Sequence, residues 1–228
     1  MNNDEDDKKL PTVAAASAVP ATSAKNPYED YADHSSSQIW IGALLKFNKG
    51  DYVIGRDAEP CPETEAVALV QEALVGWILW EDSFPADHKM GLLRDGFVPP
   101  ARDTLGRTDK SQWEIDGKGK ARDPWQESAY VPMVSVNGEA VYTFATSSDG
   151  GRRRGLAPLF REYGGHIRQH PDEVPIVGFA QDSYMHSNRE YGRIKYPLFP
   201  VKRWVKAAPY LAAVQNLTGK SLQQLEPA

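Results

Sequence analysis

Hydrophobic positions acquire a period only beyond residue 37. Before that, residues 13–24 are a run of Ala, Ser, Thr, Val and Pro that follows neither the 3.6-residue period of a helix nor the alternation of a strand, and Ser35-Ser36-Ser37 closes it. Such a composition cannot bury enough apolar surface to offset its ordering entropy, so residues 1–37 are predicted to be a disordered tail. Tyr28 and Tyr31 are its exceptions, fit to dock on a folded domain. From residue 38 the pattern reads as β structure. Residues 39–47 are apolar-rich, Asn48-Lys49-Gly50-Asp51 is a turn signal, and Tyr52-Val53-Ile54 follows, which predicts strand, tight turn, strand. Residues 66–80 are long enough for a helix, but their β-branched content and Gly76 favour two strands or one bent strand.

Residues 81–128 are polar and rich in Pro, Gly and Asp, and Pro85, Pro99, Pro100 and Pro124 prevent long regular elements. Phe84, Phe97, Trp113 and Trp125 argue for order all the same, because large aromatic rings stabilise only when packed. An ordered, irregular segment is expected. Next, residues 130–136 and 139–146 are β-prone runs joined by Asn137-Gly138, which predicts a hairpin with a type I′ turn. Ser147-Ser148-Asp149-Gly150-Gly151 ends it and caps a helix starting near Arg152. Leu156, Leu159, Phe160 and Tyr163 fall at helical spacing before Gly164-Gly165 stops the helix. Residues 174–180 predict a short buried strand. Residues 192–205 predict an edge strand interrupted by Pro197 and Pro200, and residues 209–217 a short helix.

The order of elements predicts a β-rich α+β domain over residues 38–206, either an OB-like five-stranded barrel with one helix between strands or a small sandwich. Residues 207–228 are expected to form the C-terminal helix and tail.

Composition narrows the class. With 228 residues, 41% hydrophobic and 25% charged, the chain suits one soluble domain with a small appendage. No stretch approaches the roughly 18 apolar residues of a membrane span. The acidic start, Asp4 to Asp7, lacks the layout of a signal peptide. Cys61, between Pro60 and Pro62, is the single cysteine, which excludes an internal disulfide and a Cys-only zinc site. The expected location is a reducing compartment, the cytoplasm. Charge is uneven. The formal net charge is −5, yet residues 145–206 hold eleven Lys or Arg against six Asp or Glu, a local +5, so the remainder carries −10. A local basic face is what a polyanion senses, whatever the overall sign.

Aromatic residues interleave with those cations. In Arg189-Glu190-Tyr191-Gly192-Arg193-Ile194-Lys195-Tyr196, and on to Phe199, Lys202, Arg203 and Trp204, a ring lies within two or three residues of each cation. On a strand, Tyr191, Arg193 and Lys195 point one way. Single-stranded nucleic acid needs this mixture, with rings to stack on bases and cations to follow phosphates. Arg152, Arg153 and Arg154 add a cluster at a predicted helix N-terminus, where free N–H groups favour an anion. Lys118 and Lys120 lie in a Gly-rich loop with the same potential. Trp77 and Trp80 are three apart, so they face opposite sides of a strand and one of them is a candidate stacking platform. The competing arrangement has Tyr196, Phe199 and Trp204 in the core and the cations merely solvated.

Catalytic signatures are weak. His166 and His170 are four apart, and His186, Asp172, Asp182 or Cys61 are candidates to complete a metal set, but no Glu follows the first His as in zincins and Gly164-Gly165 argue against a helix there. There is no Gly-x-Ser-x-Gly elbow and no Walker A ending. Asp103, Asp109, Glu114, Asp116 and Asp123 read as hydrogen-bonding turn formers. No enzyme is expected, and no cofactor or metal is called for.

The motifs Leu45-Lys46-Phe47-Asn48-Lys49-Gly50-Asp51, Gly76-Trp77, Trp80-Glu81-Asp82, Pro99-Pro100-Ala101-Arg102, Leu105-Gly106, Trp113-Glu114, Arg122-Asp123-Pro124-Trp125-Gln126, Thr143-Phe144 and Gly150-Gly151-Arg152 resemble a group of uncharacterised proteins of bacterial prophages and related mobile elements. The resemblance spans residues 26–206. It implies a phage setting, where nucleic-acid-handling proteins, virion components and inhibitors of host defence are common, and it supplies no site residues.

The expectation is therefore a phage-type protein that binds single-stranded DNA. Tyr191, Tyr196, Trp204 and one of Trp77 or Trp80 would stack, while Arg152, Arg153, Arg154, Arg193, Lys195 and Arg203 would contact phosphates. Phage or host replication and recombination proteins, and a second copy of the chain, are the further partners such a role allows. The alternative is a non-enzymatic structural or interaction protein of a phage, either a virion component or an inhibitor of a host protein. No membrane partner is expected.

Overall fold

Trp125–Ser135, an eleven-residue strand, is the axis on which the sheet is assembled. The computed structural model describes residues 40–219 apart from Ser83 and Lys118, so the tail expected over residues 1–37 lies outside the described residues. Twelve strands are present among them: β1 (Ala43–Asn48), β2 (Asp51–Ile54), β3 (Glu59–Pro60), β4 (Glu65–Ala68), β5 (Leu74–Glu81), β6 (Phe84–Leu92), β7 (Trp125–Ser135), β8 (Val141–Thr146), β9 (Glu173–Gly178), β10 (Ala180–Met185), β11 (Arg193–Leu198) and β12 (Val201–Lys206). Two α-helices accompany them, α1 (Ala157–His166) and α2 (Ala208–Thr218).

Ten strands form one curled, mixed sheet in the order β12-β9-β4-β7-β8-β1-β2-β3, with β5 pairing β7 and β6 pairing β5. Only β1 and β8 run parallel. One edge of β7 is shared: Met133–Ser135 pair with β4, and Trp125–Tyr130 pair with β5. Between them the chain jogs through a 3-10 turn, Val70–Glu72. That jog explains a proline in the middle of a central strand. The Pro132 carbonyl accepts the Leu69 N–H at 2.9 Å, so its missing N–H faces the same gap, where no ladder bond is lost.

The β-rich α+β class is as expected, but the strand count is not the five of a small barrel. β6 lies inside the segment expected to be irregular, and its first four residues are exposed, so it shows no apolar alternation. Residues 192–205 form two strands that go to different sheets, because Phe199 and Pro200 break them: β11 pairs β10, and β12 pairs β9 at the edge of the large sheet. The 135–140 turn is not type I′. Of Asn137 and Gly138 only the glycine has positive φ (76°), and the Ser135 hydroxyl, which accepts from both Glu139 N and Ala140 N, holds a longer loop. The α1 helix runs through Gly164 and Gly165 to His166 instead of stopping at them.

Phe144, Leu45, Val131, Met133 and Ile176 form the main core, with Leu159 and Tyr163 of α1 and Val214 of α2 packed into it. Each such side chain stabilises by about 1.5–3 kcal/mol through burial. A second cluster, Leu74, Ile78, Met90, Leu92 and Tyr130, lies under the β5–β6 hairpin. No helix among the described residues is long and apolar enough to cross a membrane.

β10 and β11 form a separate two-stranded hairpin that is joined to the large sheet through Tyr52. The ring of Tyr52 stacks on Phe179 (4.7 Å) and meets Phe199 edge-on (5.8 Å), the residues that flank the two strands at their common base. Its hydroxyl lies 2.8 Å from the Ala180 carbonyl and 3.0 Å from that of Leu198, its single proton shared between the paired ends of β10 and β11. Burial pushes the phenol pKa well up, so it remains a donor at any physiological pH. Tyr52→Phe keeps the ring and removes the proton. It is expected to cost about 1–3 kcal/mol in urea unfolding, with hydrogen-exchange protection falling first in β10 and β11. Unchanged exchange in both strands would show that the hydroxyl does not hold them.

Candidate nucleic-acid interface

Glycine spacing brings the hairpin down on the segment before α1. Gly150–Leu156 forms a π-helical turn, a rare geometry that recurs at functional sites. The Ser148 hydroxyl accepts the Gly151 N–H at 3.0 Å and starts the turn. A Cβ on Gly155 would lie 2.9 Å from the Pro197 carbonyl of β11, so that glycine allows the hairpin's close approach, while one on Gly151 would collide with Thr146 of β8, so that glycine serves the turn itself. Tyr196 closes over Gly150.

The turn points its three arginines differently. Arg152 is drawn inward, paired with Glu127 of β7 and with Asp149 (2.8 Å). Arg153 is exposed, 3.6 Å from Asp149. The Arg154 guanidinium lies over the ring of Tyr184, 4.5 Å from its centroid, and 5.3 Å from that of Tyr196. From there a row of rings runs along the hairpin: Tyr196 to Tyr184 is 6.2 Å, Tyr184 to His186 is 6.4 Å, and His186 to Tyr191 is 4.7 Å. At its far end the Lys120 ammonium lies 4.6 Å over the Tyr191 ring and bonds the Tyr191 hydroxyl, which holds the Lys120 pKa above its usual value. Cations therefore bracket an aromatic row.

Asp182 ties the strands together. Its carboxylate accepts the Tyr196 hydroxyl at 2.9 Å and the Ser183 N–H at 2.6 Å. The Ser183 N–H, the Tyr196 hydroxyl and the nearby Arg154 and Arg193 hold its pKa below the usual carboxylate range, and the same carboxylate pushes the Tyr196 phenol up.

The eleven residues expected to bind nucleic acid do not form one surface. Arg153, Arg154, Tyr191, Arg193 and Lys195 are brought to the turn and hairpin. Arg193 and Lys195 share one face of β11, but Tyr191 is not with them on the strand; it sits in a 3-10 turn, Arg189–Tyr191. Tyr196 is buried at 9% exposure beneath Arg154, a packing ring that offers no face to a base. Arg152 is committed to its carboxylates. Trp77 donates its indole N–H to the Pro100 carbonyl at 2.9 Å, and Trp80 packs on the second core, so both are engaged in β5. Arg203 and Trp204 belong to β12. There Arg203 meets Glu65 (3.5 Å), and Trp204 stacks on His166 at 3.6 Å. Lys118 lies outside the described residues.

Tyr184 and His186 are the members that sequence reading missed. They fall in a stretch with no apolar alternation, and only the pairing of Tyr184 with Ile194 shows that its ring shares a face with Tyr196. The carboxylates of the long loop form turns and clamps, as expected. Asp123 takes Arg102 through two bonds (2.6 and 2.8 Å), and Asp109 accepts Ser111 N (2.9 Å). Two open cavities of about 170 and 360 Å³ lie beside that clamp, Trp80 lining the first and Trp113 the second.

No family model, no curated protein and no solved structure matches the chain.

The depressed pKa of Asp182 sets a pH dependence. Its contribution is fully present above the unfolded carboxyl value of about 3.9 and disappears as pH falls through the lower folded value. Acid titration followed by NMR is expected to release the Tyr196 hydroxyl and loosen the hairpin below about pH 4. Asp182→Asn should abolish that step. A step that persists in the variant would assign it to another carboxylate.

Proposed function

We propose that the protein binds single-stranded DNA along the β10–β11 hairpin, in a phage-type setting. The observation that supports this reading most is the row Tyr184, His186, Tyr191, bracketed by Arg154 and Lys120. Flat rings suit unpaired bases of any identity, and cations held over rings keep their charge turned to solvent, where phosphates approach. Arg193 and Lys195 lie on the opposite face of β11 from Tyr184 and Tyr196, so the charge beside the rings is that of Arg154 and Lys120. The OB-like character expected from element order enters this reading only as a curled sheet that supports a strand-borne binding surface. Replication and recombination proteins of phage or host are the partners it suggests.

One feature favours the alternative, an interaction protein. β6 pairs with β5 alone, and Phe84 at its start is 73% exposed, an open strand edge with an apolar end. That reading predicts a stable oligomer or hetero-complex and no salt-dependent DNA affinity.

The test is fluorescence anisotropy of a labelled single strand of ~30 nucleotides, and of its duplex, at two salt concentrations. Single-strand binding that weakens steeply with salt is expected. The Tyr184→Ala/Tyr191→Ala double variant should lose about 1–3 kcal/mol per stacked base. Arg154→Gln and Lys120→Gln should each lower the salt slope by about 1. Trp77→Phe and Arg203→Gln should leave affinity unchanged. No binding at low salt would overturn the proposal and leave the interaction protein.

A further inference from the structure

The end of α1 and the start of β9 bring together a donor set that is independent of the nucleic-acid reading. His166 is the last residue of α1, His170 follows within one turn of chain, and Glu173 opens β9. Their donor atoms all lie within 4.8 Å of one another. His166 Nε2 is 2.8 Å from Glu173 Oε2, and His170 Nδ1 is 4.0 Å from the same oxygen. We propose that His166, His170 and Glu173 form a binding site for one divalent transition-metal ion of the zinc class.

Four aspects of the geometry support it. First, two imidazole nitrogens and one carboxylate oxygen are the ligand types of zinc sites that keep an open position, whereas calcium and magnesium require mostly oxygen. Second, the distances straddle what a metal needs. Bonds of about 2.0–2.2 Å at a tetrahedral angle place donors roughly 3.4 Å apart. The 2.8 Å contact must open and the 4.0 Å contact close, each by roughly half an ångström, and His170 must make a rotamer change out of its stack on His166, because a metal lies in the plane of each imidazole that holds it. His170, with half its side chain exposed, is free to make it.

Third, the neighbours orient the ligands. Trp204 stacks on the His166 ring (3.6 Å, 7° between planes) and fixes its plane. Lys206 bonds the other carboxylate oxygen, Glu173 Oε1, at 3.2 Å, and holds Asp172 at 3.0 Å. That leaves Oε2 turned to the histidines, in the way a hydrogen-bonded outer neighbour orients a metal-ligating carboxylate. Fourth, the local field favours a cation. The site lies at the C-terminal end of α1, the negative end of its dipole, and Asp172 and Glu173 together outweigh Lys206.

The experiment is isothermal titration of zinc chloride into the untagged, chelator-stripped full chain, repeated in excess magnesium. One zinc per chain is expected, with magnesium unable to compete. His170→Ala should weaken zinc binding by about tenfold or more while unfolding at the temperature of the unaltered protein, and Glu173→Gln should weaken it likewise with some loss of stability, since it removes the charge that His166 and Lys206 pair with. His170 is exposed, so its variant tests the site without threatening the fold. Trp204→Phe supplies a second readout. Nickel added to the unaltered protein should quench the tryptophan fluorescence of the indole stacked on a ligand, and the variant should bind nickel without that quenching. Absence of stoichiometric zinc, or equal zinc affinity in the His170→Ala and Glu173→Gln variants, would overturn the site.

Discussion

A single phenolic proton, shared between the Ala180 and Leu198 carbonyls, closes the base of the β10–β11 hairpin onto the sheet that carries it. The hairpin exchanges no ladder hydrogen bonds with the other ten described strands. Beyond the chain itself, which runs from β9 into β10 and from β11 into β12, its attachment rests on Tyr52, on Phe179 and Phe199 against the Tyr52 ring, and on Gly150 and Gly155 of the π-helical turn. Apolar packing supplies most of the energy there, and the shared proton supplies direction. A ring alone tolerates sliding, whereas two carbonyls on one hydroxyl do not.

That attachment decides which cations face outward. Exposed ion pairs contribute about 0–1 kcal/mol, too little to position a side chain by themselves, whereas a guanidinium over a ring contributes comparable attraction without neutralising the charge. Arg154, set over Tyr184 and Tyr196, keeps an exposed guanidinium, although Asp182 lies near it. Arg152, two residues earlier, is matched against Glu127 and Asp149 and acts as a strut between the turn and β7. Neighbours in sequence thus take opposite roles because a π-helical turn sends them in different directions.

The edge strand β12 shows the same division. Trp204 and Arg203, on β12, resemble the hairpin residues in sequence, yet β12 pairs with β9 and turns Trp204 against Tyr163 and His166 of α1. Its indole is a wall of the histidine cluster. Two chemistries, a basic row of rings and a nitrogen–oxygen donor set, are separated by the break at Phe199-Pro200, where one β-prone run becomes two strands.

Local chemistry was legible along the chain. The Lys49-Gly50 turn between β1 and β2, the two strands of residues 66–80 (though they break at Val70–Glu72 and not at Gly76), the hairpin about Gly138, the helical spacing of Leu156, Leu159 and Tyr163 and the C-terminal helix follow from turn residues and short-range periodicity. So did the concentration of basic and aromatic residues between 145 and 206. Pairing was not legible, because ladder partners lie far apart in sequence and a strand's two faces acquire meaning only once a neighbour is in place. β6 was hidden since its outer half is solvated. Tyr184 and His186 entered the candidate interface only through the register that sets β10 beside β11, and Glu173 joined His166 and His170 only through the turn back into β9. The sequence by itself determined the β-rich class and the local stock of rings and charges. Tertiary structure alone decided which rings are buried, which cations are spent on carboxylates and which remain to meet a ligand, because exposure and pairing are properties of contacts between distant segments.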